Sequence, residues 1–478
     1  MNNTLKTMLV AAAALTAVSA QAQDKATLDL LVKKGVITAE ERAKTLQSSA
    51  ATKTESGMDR VFTKEAGANR LTFSGRIQGQ WEAAAYTQTA AGVETQAADL
   101  NNVMMRRLYL GAKADVGAGF SGELVWNFGD NSNASSTTTT TTTTTTGTSP
   151  GTTTGGNGAA STSTSSTSTT VRAGAADKAV VTYEGAIGKF DLGYQKVQFG
   201  QEENTSSSGL YTVERSMVTR YWAESNNGRR LGFGARHVGL HYSNKIVIGE
   251  GGPGTLAFGA AIVDAVQGYN STGVNDYGYY GNVSFDWKPL GTTIGVNYGL
   301  TPSGATSTSG GALTAVGGTL DMAEGFNPYF KYVTGDLTIV GEYIITAIDA
   351  SSTTATNSGF IDRDPSGYNI TLAYKLSENL EAVVRYSALD TDGRGQQASD
   401  GFRDVNTAPL TAATYDKSSS VFLGLNYYFN KNNAKIQLGY EKAKLEGRIS
   451  GYTSGVATVV TADHADADIF RLQAQVLF

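Results

Sequence analysis

Polar side chains that can meet water or an ion occupy every second position of several segments of this chain. Arg76, Gln78 and Gln80 alternate with Ile77, Gly79 and Trp81; Lys435 and Gln437 alternate with Ile436 and Leu438; Arg471, Gln473 and Gln475 alternate with Leu472, Ala474 and Val476. An extended strand places successive residues on opposite faces, so each segment offers one face to water and the other to an apolar solvent. Arg107, Lys113 and Arg385 take the same polar parity in their own segments, as do Asp115, Glu123, Glu342, Glu381 and Glu441. Charges arranged in this way can guide ions through a wet lumen. Each also has a second reading, as half of a cross-strand pair within the wall.

Catalysis finds little support. His237 and His241 are four residues apart, which on a strand separates them by ~13 Å, too far for one metal ion. His464 falls in a loop segment, and no Ser, His and acid grouping or glycine-rich phosphate loop stands out. The chain has no cysteine, so it offers no thiol for disulfides, zinc or nucleophilic attack. We expect no enzyme activity, cofactor or resident metal. A formal net charge of -5 argues against sequence-independent nucleic-acid binding, which needs Lys and Arg to neutralise phosphates.

The elements that must position the lumen charges are strands. From Arg70 onward apolar residues recur with period two. Upward strands are expected near 70–82, 119–129, 189–199, 255–264, 291–300, 336–346, 380–388 and 434–445. Downward strands are expected near 105–116, 178–186, 231–243, 278–287, 325–334, 366–375, 419–429 and 466–478. This is an all-β chain, a transmembrane antiparallel barrel of about 16 strands spanning 68–478. Short links alternate with long polar ones near 83–104, 130–177, 200–230, 301–324, 347–365, 389–418 and 446–465, as turns on one side of a membrane and loops on the other would. The link at 244–254 is long for a turn. Trp81, Trp126, Phe128, Tyr298, Tyr343 and Tyr440 fall toward one interface, and Tyr183, Trp287, Tyr374, Phe429 and Phe478 toward the other, giving two aromatic girdles. The Thr and Ser tract within 130–177 cannot bury a core and reads as an extracellular loop extension.

The N-terminal 22 residues read as a signal peptide: Lys6 precedes an apolar run from Met8 to Val18, with small residues at Ser19, Ala20 and Ala22. The run is too short for a spanning helix. Residues 23–67 read as a periplasmic helical hairpin and linker, with Gly35 ending the first helix and Thr38 and Glu41 capping the second.

Arg70 to Gln78, Met105 to Gly111, Gly193 to Gly200 and Val213 to Ser216 resemble the opening strands and third loop of the phosphate-selective porin O and P family. The resemblance implies a homotrimer of sixteen-stranded barrels in the bacterial outer membrane, with the third long connection, 200–230, folded inward as a constriction. It also implies that the barrel assembly machinery reads the final strand and its terminal Phe478. The expected partners are then outer-membrane lipid, that machinery and small hydrophilic solutes or anions. Arg76, Arg107, Lys113, Arg385, Lys435 and Arg471 are the pore-lining candidates. Arg215, Arg220, Arg229 and Arg230 are the constriction candidates, and Arg215 beside Glu214 can equally anchor the loop to the wall. Acidic residues are mixed with all of these, so the expected function is passive diffusion with a weak preference for anions. The alternative is a structural or adhesive surface barrel whose long loops bind partners.

Overall fold

The computed structural model describes residues 62–66, 69–129, 135–140, 165–170, 175–223, 233–249, 251–264, 277–302, 322–349, 361–402, 413–453 and 456–478. The signal peptide and helical hairpin expected at 1–61 lie outside the described residues.

Sixteen antiparallel strands form the wall: β1 (Asn69–Ala90), β2 (Val93–Gly117), β3 (Phe120–Asn127), β4 (Ala175–Gly185), β5 (Gly188–Lys196), β6 (Arg236–Ile248), β7 (Gly254–Asp264), β8 (Tyr277–Trp287), β9 (Thr292–Pro302), β10 (Met322–Thr334), β11 (Leu337–Ile348), β12 (Ser366–Lys375), β13 (Leu380–Asp390), β14 (Thr414–Asn430), β15 (Ala434–Thr453) and β16 (Val456–Leu477). Each pairs with its neighbours in sequence, and β16 returns to β1 from Arg76 opposite Leu477 to Thr89 opposite His464, which closes the sheet. Closure leaves no open edge in lipid. At the seam Gly75 and Phe478 exchange both backbone hydrogen bonds, and beyond that point the short strand Phe62–Ala66 takes over pairing with β1.

Alternation sorts the wall as the sequence pattern requires. Along β16 from Asp463 to Leu477 burial alternates residue by residue, with Arg471, Gln473 and Gln475 buried and Phe470, Leu472 and Val476 exposed. Leu110, Leu124, Leu192, Ile262, Ile294 and Leu372 are likewise exposed on the outer face. An apolar belt of this extent on every strand is a lipid surface. No described helix is long and apolar enough to cross a membrane.

Three connections differ from the sequence expectation. Segments 83–104 and 446–465 are largely not loops but continuations of strands, which turn at Ala91 and Gly92 in one case and pair as far as Thr453 opposite Val456 in the other. Their small and polar residues continue the ladder because pairing needs backbone groups, not apolar side chains. The link at 244–254 is shorter than expected, because β6 runs on to Ile248 and β7 begins at Gly254; Gly249, Gly251 and Gly252 between them take positive φ. In the Thr and Ser tract, Ser135–Thr140 pairs with Ser165–Thr170 as a separate two-stranded ribbon.

Candidate constriction site

The connection from β5 to β6 leaves the wall and crosses the inside of the barrel. It turns inward at Gly200, whose φ of 81° suits glycine. Two short helices follow, α1 (Gln201–Asn204) and α2 (Met217–Ala223). All seven residues of α2 are buried. Val218, Tyr221 and Trp222 join Phe199, Phe233, Val263, Tyr280 and Ile344 in an apolar cluster against one side of the wall. Met217 joins a second cluster on the other side with Tyr86, Leu445, Ile469 and Phe402, the last from helix α3 (Ala398–Phe402). A short helix that is apolar on both sides is buried on both.

Polar anchors fix the rest of the loop. Glu342 on β11 accepts the backbone N–H groups of Gln201 (2.6 Å) and Glu202 (3.2 Å), and also Asn369 Nδ2 (2.7 Å), Asn327 Nδ2 (3.0 Å) and the Thr219 hydroxyl (3.1 Å). It serves as the N-terminal cap of α1, for which Gly200 supplies no side-chain oxygen. Glu202 in turn accepts Ser216 N–H and the hydroxyls of Ser216 and Thr219. From β15, Lys435 donates to the carbonyl of Leu210 at 2.9 Å, and Gln437 donates to those of Leu210 and Tyr211. From the seam, Gln78 and Gln475 donate to the carbonyls of Ser207 and Ser208. The loop thus spans the lumen from β5 to the β15, β16 and β1 wall.

The pore-lining candidates divide. Arg385 is fully buried, donating to Glu202 (3.0 Å), Thr212 Oγ1 (3.0 Å), the Glu214 carbonyl (2.7 Å) and Glu441 (3.1 Å). Arg471 is buried between Glu82 (2.5 Å) and Glu441 (2.8 Å). Arg76 bonds Ser206 and Ser207 of the loop and lies over the Tyr109 ring. Arg107 bonds Gln78 at 3.0 Å and pairs with Glu214 at 3.6 Å. Lys435 is buried beneath Leu210. Lys113, paired with Asp115 at 3.8 Å, remains substantially exposed.

Among the constriction candidates, Arg215 folds back on the loop: it donates to the carbonyls of Glu202, Glu203 and Thr205 and pairs with Glu203 at 2.9 Å. Arg220 is buried, with Nη1 3.4 Å from the Gly401 carbonyl of α3. Arg229 and Arg230 lie outside the described residues.

Sequence reasoning passed over Arg106. Simple alternation turns it toward lipid, but a bulge sets Gln78 opposite Arg107 and Gly79 opposite Met105, so that both arginines turn inward. Arg106 then forms a bidentate pair with Glu214. The signal was the Arg106-Arg107 doublet itself, since an arginine facing the membrane midplane costs about 2–4 kcal/mol. The loop carbonyls that hold Lys435, Gln437 and Gln475 left no signal, because backbone acceptors are common to all residues.

Solved structures that resemble this fold include porins and other outer-membrane proteins. OmpT of Vibrio cholerae, folded in vitro, is 12% identical with a TM-score of 0.47, covering 87% of this chain and all of its own. The anion-selective porin from Comamonas acidovorans is 13% identical with a TM-score of 0.48, covering 86% and all. Salmonella typhi OmpF, in complex with daunomycin, is 14% identical with a TM-score of 0.45, covering 87% and all. No curated protein matches the chain. The sequence profile of the phosphate-selective porin O and P family matches residues 73–478, which is the closed barrel together with its inward loop. This chain therefore belongs to the phosphate-selective porin O and P family and is an outer-membrane diffusion channel.

Proposed function

We propose that the channel passes small hydrophilic solutes with a weak preference for anions. The observation that carries this reading is the charge balance where the inward loop meets the β1 to β6 side of the wall. Arg76, Arg106, Arg107, Lys196, Arg215 and Arg236 gather there around Asp177, Glu203 and Glu214. The guanidinium groups of Arg76, Arg107, Arg215 and Arg236 lie close enough to feel one another's charge or that of shared neighbours. Surplus positive charge in a narrow, partly desolvated passage concentrates anions, and the interleaved carboxylates keep the effect small. A large lumen without the loop would discriminate little, because a Debye length of about 8 Å at physiological salt screens the wall charges.

The barrel is read as a channel and not as a hydrolase, because the inward carboxylates Glu82, Glu203, Glu214 and Glu441 are each engaged by a guanidinium and so are poorly placed as free acids or bases. Following the family resemblance, the assembled form is taken to be a homotrimer, delivered by the barrel assembly machinery and set in outer-membrane lipid. The domain plan that accompanies this reading is a signal peptide at 1–22, a periplasmic hairpin and linker at 23–67 and the barrel from 68 on.

Reversal potential across a planar bilayer under a salt gradient tests the proposal. A modest potential of the sign for anion passage supports it, and a cation-sign potential refutes it. Heat-resistant trimers that cross-link as three chains test the assembly.

A further inference from the structure

The lumen charges are not equally accessible. Those facing the inward loop from β1, β13, β15 and β16 are sealed: the side chains of Glu82, Arg385, Glu441 and Arg471 retain 7% or less of their surface. On the opposite side, Glu123 of β3 and Asp177 and Lys178 of β4 retain 25–27%, and Arg236 of β6 retains 29%. Water therefore reaches the wall along β3 to β6, while the loop and its two apolar clusters close the other side.

That open strip is built from ion pairs. Lys178 Nζ lies 2.7 Å from Glu123, and Arg236 Nη2 lies 2.5 Å from Asp177, with Arg236 Nε also donating to the Asp177 carbonyl at 2.9 Å. The second pair reaches across β5, since Arg236 stands opposite Lys196. A bulge produces it: Val125 faces Lys178 and Trp126 faces Ala176, which leaves Asp177 out of register. Pairs that water still reaches contribute modestly to stability. What the pairing does is cancel charge along the path.

We propose that Glu123 and Asp177 are specificity-determining residues that hold the anion preference of this channel low by neutralising Lys178 and Arg236 on its open wall. The inference deepens the reading of weak anion preference and rests on it for the sign of the unmodified channel. Arg385 ties the loop to the wall and Arg471 ties two wall strands together; each lies between two carboxylates that cancel its charge, so neither has a direct share in selectivity.

The test is the reversal potential of the full-length protein carrying Glu123→Gln and Asp177→Asn, measured with potassium chloride at low and high ionic strength. Unmasking a cation within about one Debye length of a passing ion should raise the chloride to potassium permeability ratio about twofold or more at low salt, and less at high salt. Lys178→Gln and Arg236→Gln should lower it, and carry the test if the acidic variants fail to assemble. The pair Asp390 and Lys417, both exposed and linked at 2.8 Å, serves as control; Asp390→Asn should leave the ratio unchanged. An unaltered ratio in assembled acidic or basic variants, or an equal shift in the control, overturns the proposal. A cation-sign potential in the unmodified channel would refute the anion reading alone, since the direction of the variant shifts does not depend on the starting sign.

Discussion

Glu342 is the anchor whose removal should change the channel most. Glu342→Ala takes away the acceptor of five donors, but their losses differ. Asn327 Nδ2 keeps the Tyr343 carbonyl at 3.0 Å, Thr219 keeps Glu202 at 2.7 Å, and Asn369 keeps weaker bonds to Ser216 and Thr219. The N–H groups of Gln201 and Glu202 have no comparable substitute, since Gly200 provides no side-chain cap. A buried donor left unsatisfied costs about 1–3 kcal/mol; Glu202 N–H is buried and Gln201 N–H partly so, and the loop's hold on β11 weakens by about 2–4 kcal/mol. The α2 helix and Arg385 still retain the loop, so the barrel should assemble while α1 lifts away from the wall. Glu342→Gln should do less. It keeps one acceptor oxygen and relieves the repulsion between Glu342 and Glu202, which share the Thr219 hydroxyl at 3.1 and 2.7 Å, although its amide nitrogen then faces donors that a carboxylate oxygen accepted. Single-channel recording reads the difference as larger, noisier conductance in the alanine variant and a smaller change in the same direction in the glutamine variant. If Glu342→Ala gave the conductance, noise and thermal stability of the unmodified protein, the loop would not be held as described.

Other consequences can be checked together. Arg215→Ala takes the donor from the Glu202 and Thr205 carbonyls and leaves Glu203 held by Lys196, so open-channel noise should rise without loss of assembly; quiet traces would argue against the anchoring role. Gly75→Val should lower the yield of heat-modifiable barrel, because the Phe478 ring lies against Gly75 where a side chain would have to sit; normal yield would show that the seam adapts. Phe478→Ser should likewise reduce assembled protein yet leave conductance per channel unchanged, and a normal amount in the membrane would remove the strand end from its assembly role. Deleting residues 141–164, beyond the paired Ser135–Thr140 and Ser165–Thr170, should leave a barrel that still shifts on heating, because loop length changes closure entropy only logarithmically. Failure of that deletion protein to insert would make the tract structural.

The strands were legible because a wall between lipid and water imposes period two on every crossing. Leu110, Leu124 and Leu472 declare their face by type alone. The extended hairpins at 83–104 and 446–465 were not legible, since above the membrane neither face must be apolar and Ala85, Thr87 and Thr89 read as loop. Of the site, the inward parity of Arg76, Arg385, Lys435 and Arg471 could be read, but their burial could not. It depends on where Ser206 to Glu214 come to rest, 130 residues or more away from Arg76 in the chain and farther still from Lys435. The bulges that turn Arg106 and Asp177 inward break the very alternation by which the rest was read.

The barrel encloses an open but constricted pore whose small anion preference is expected to arise beside the inward loop. Zero-current potential of the purified protein in a planar bilayer, under a tenfold gradient of potassium chloride, tests it most directly. Stable stepwise conductance with a potential of anion sign, well short of the ideal value of about 59 mV for a single permeant ion, is the expected result. Absence of conductance from assembled protein, or a potential of cation sign, would contradict the account.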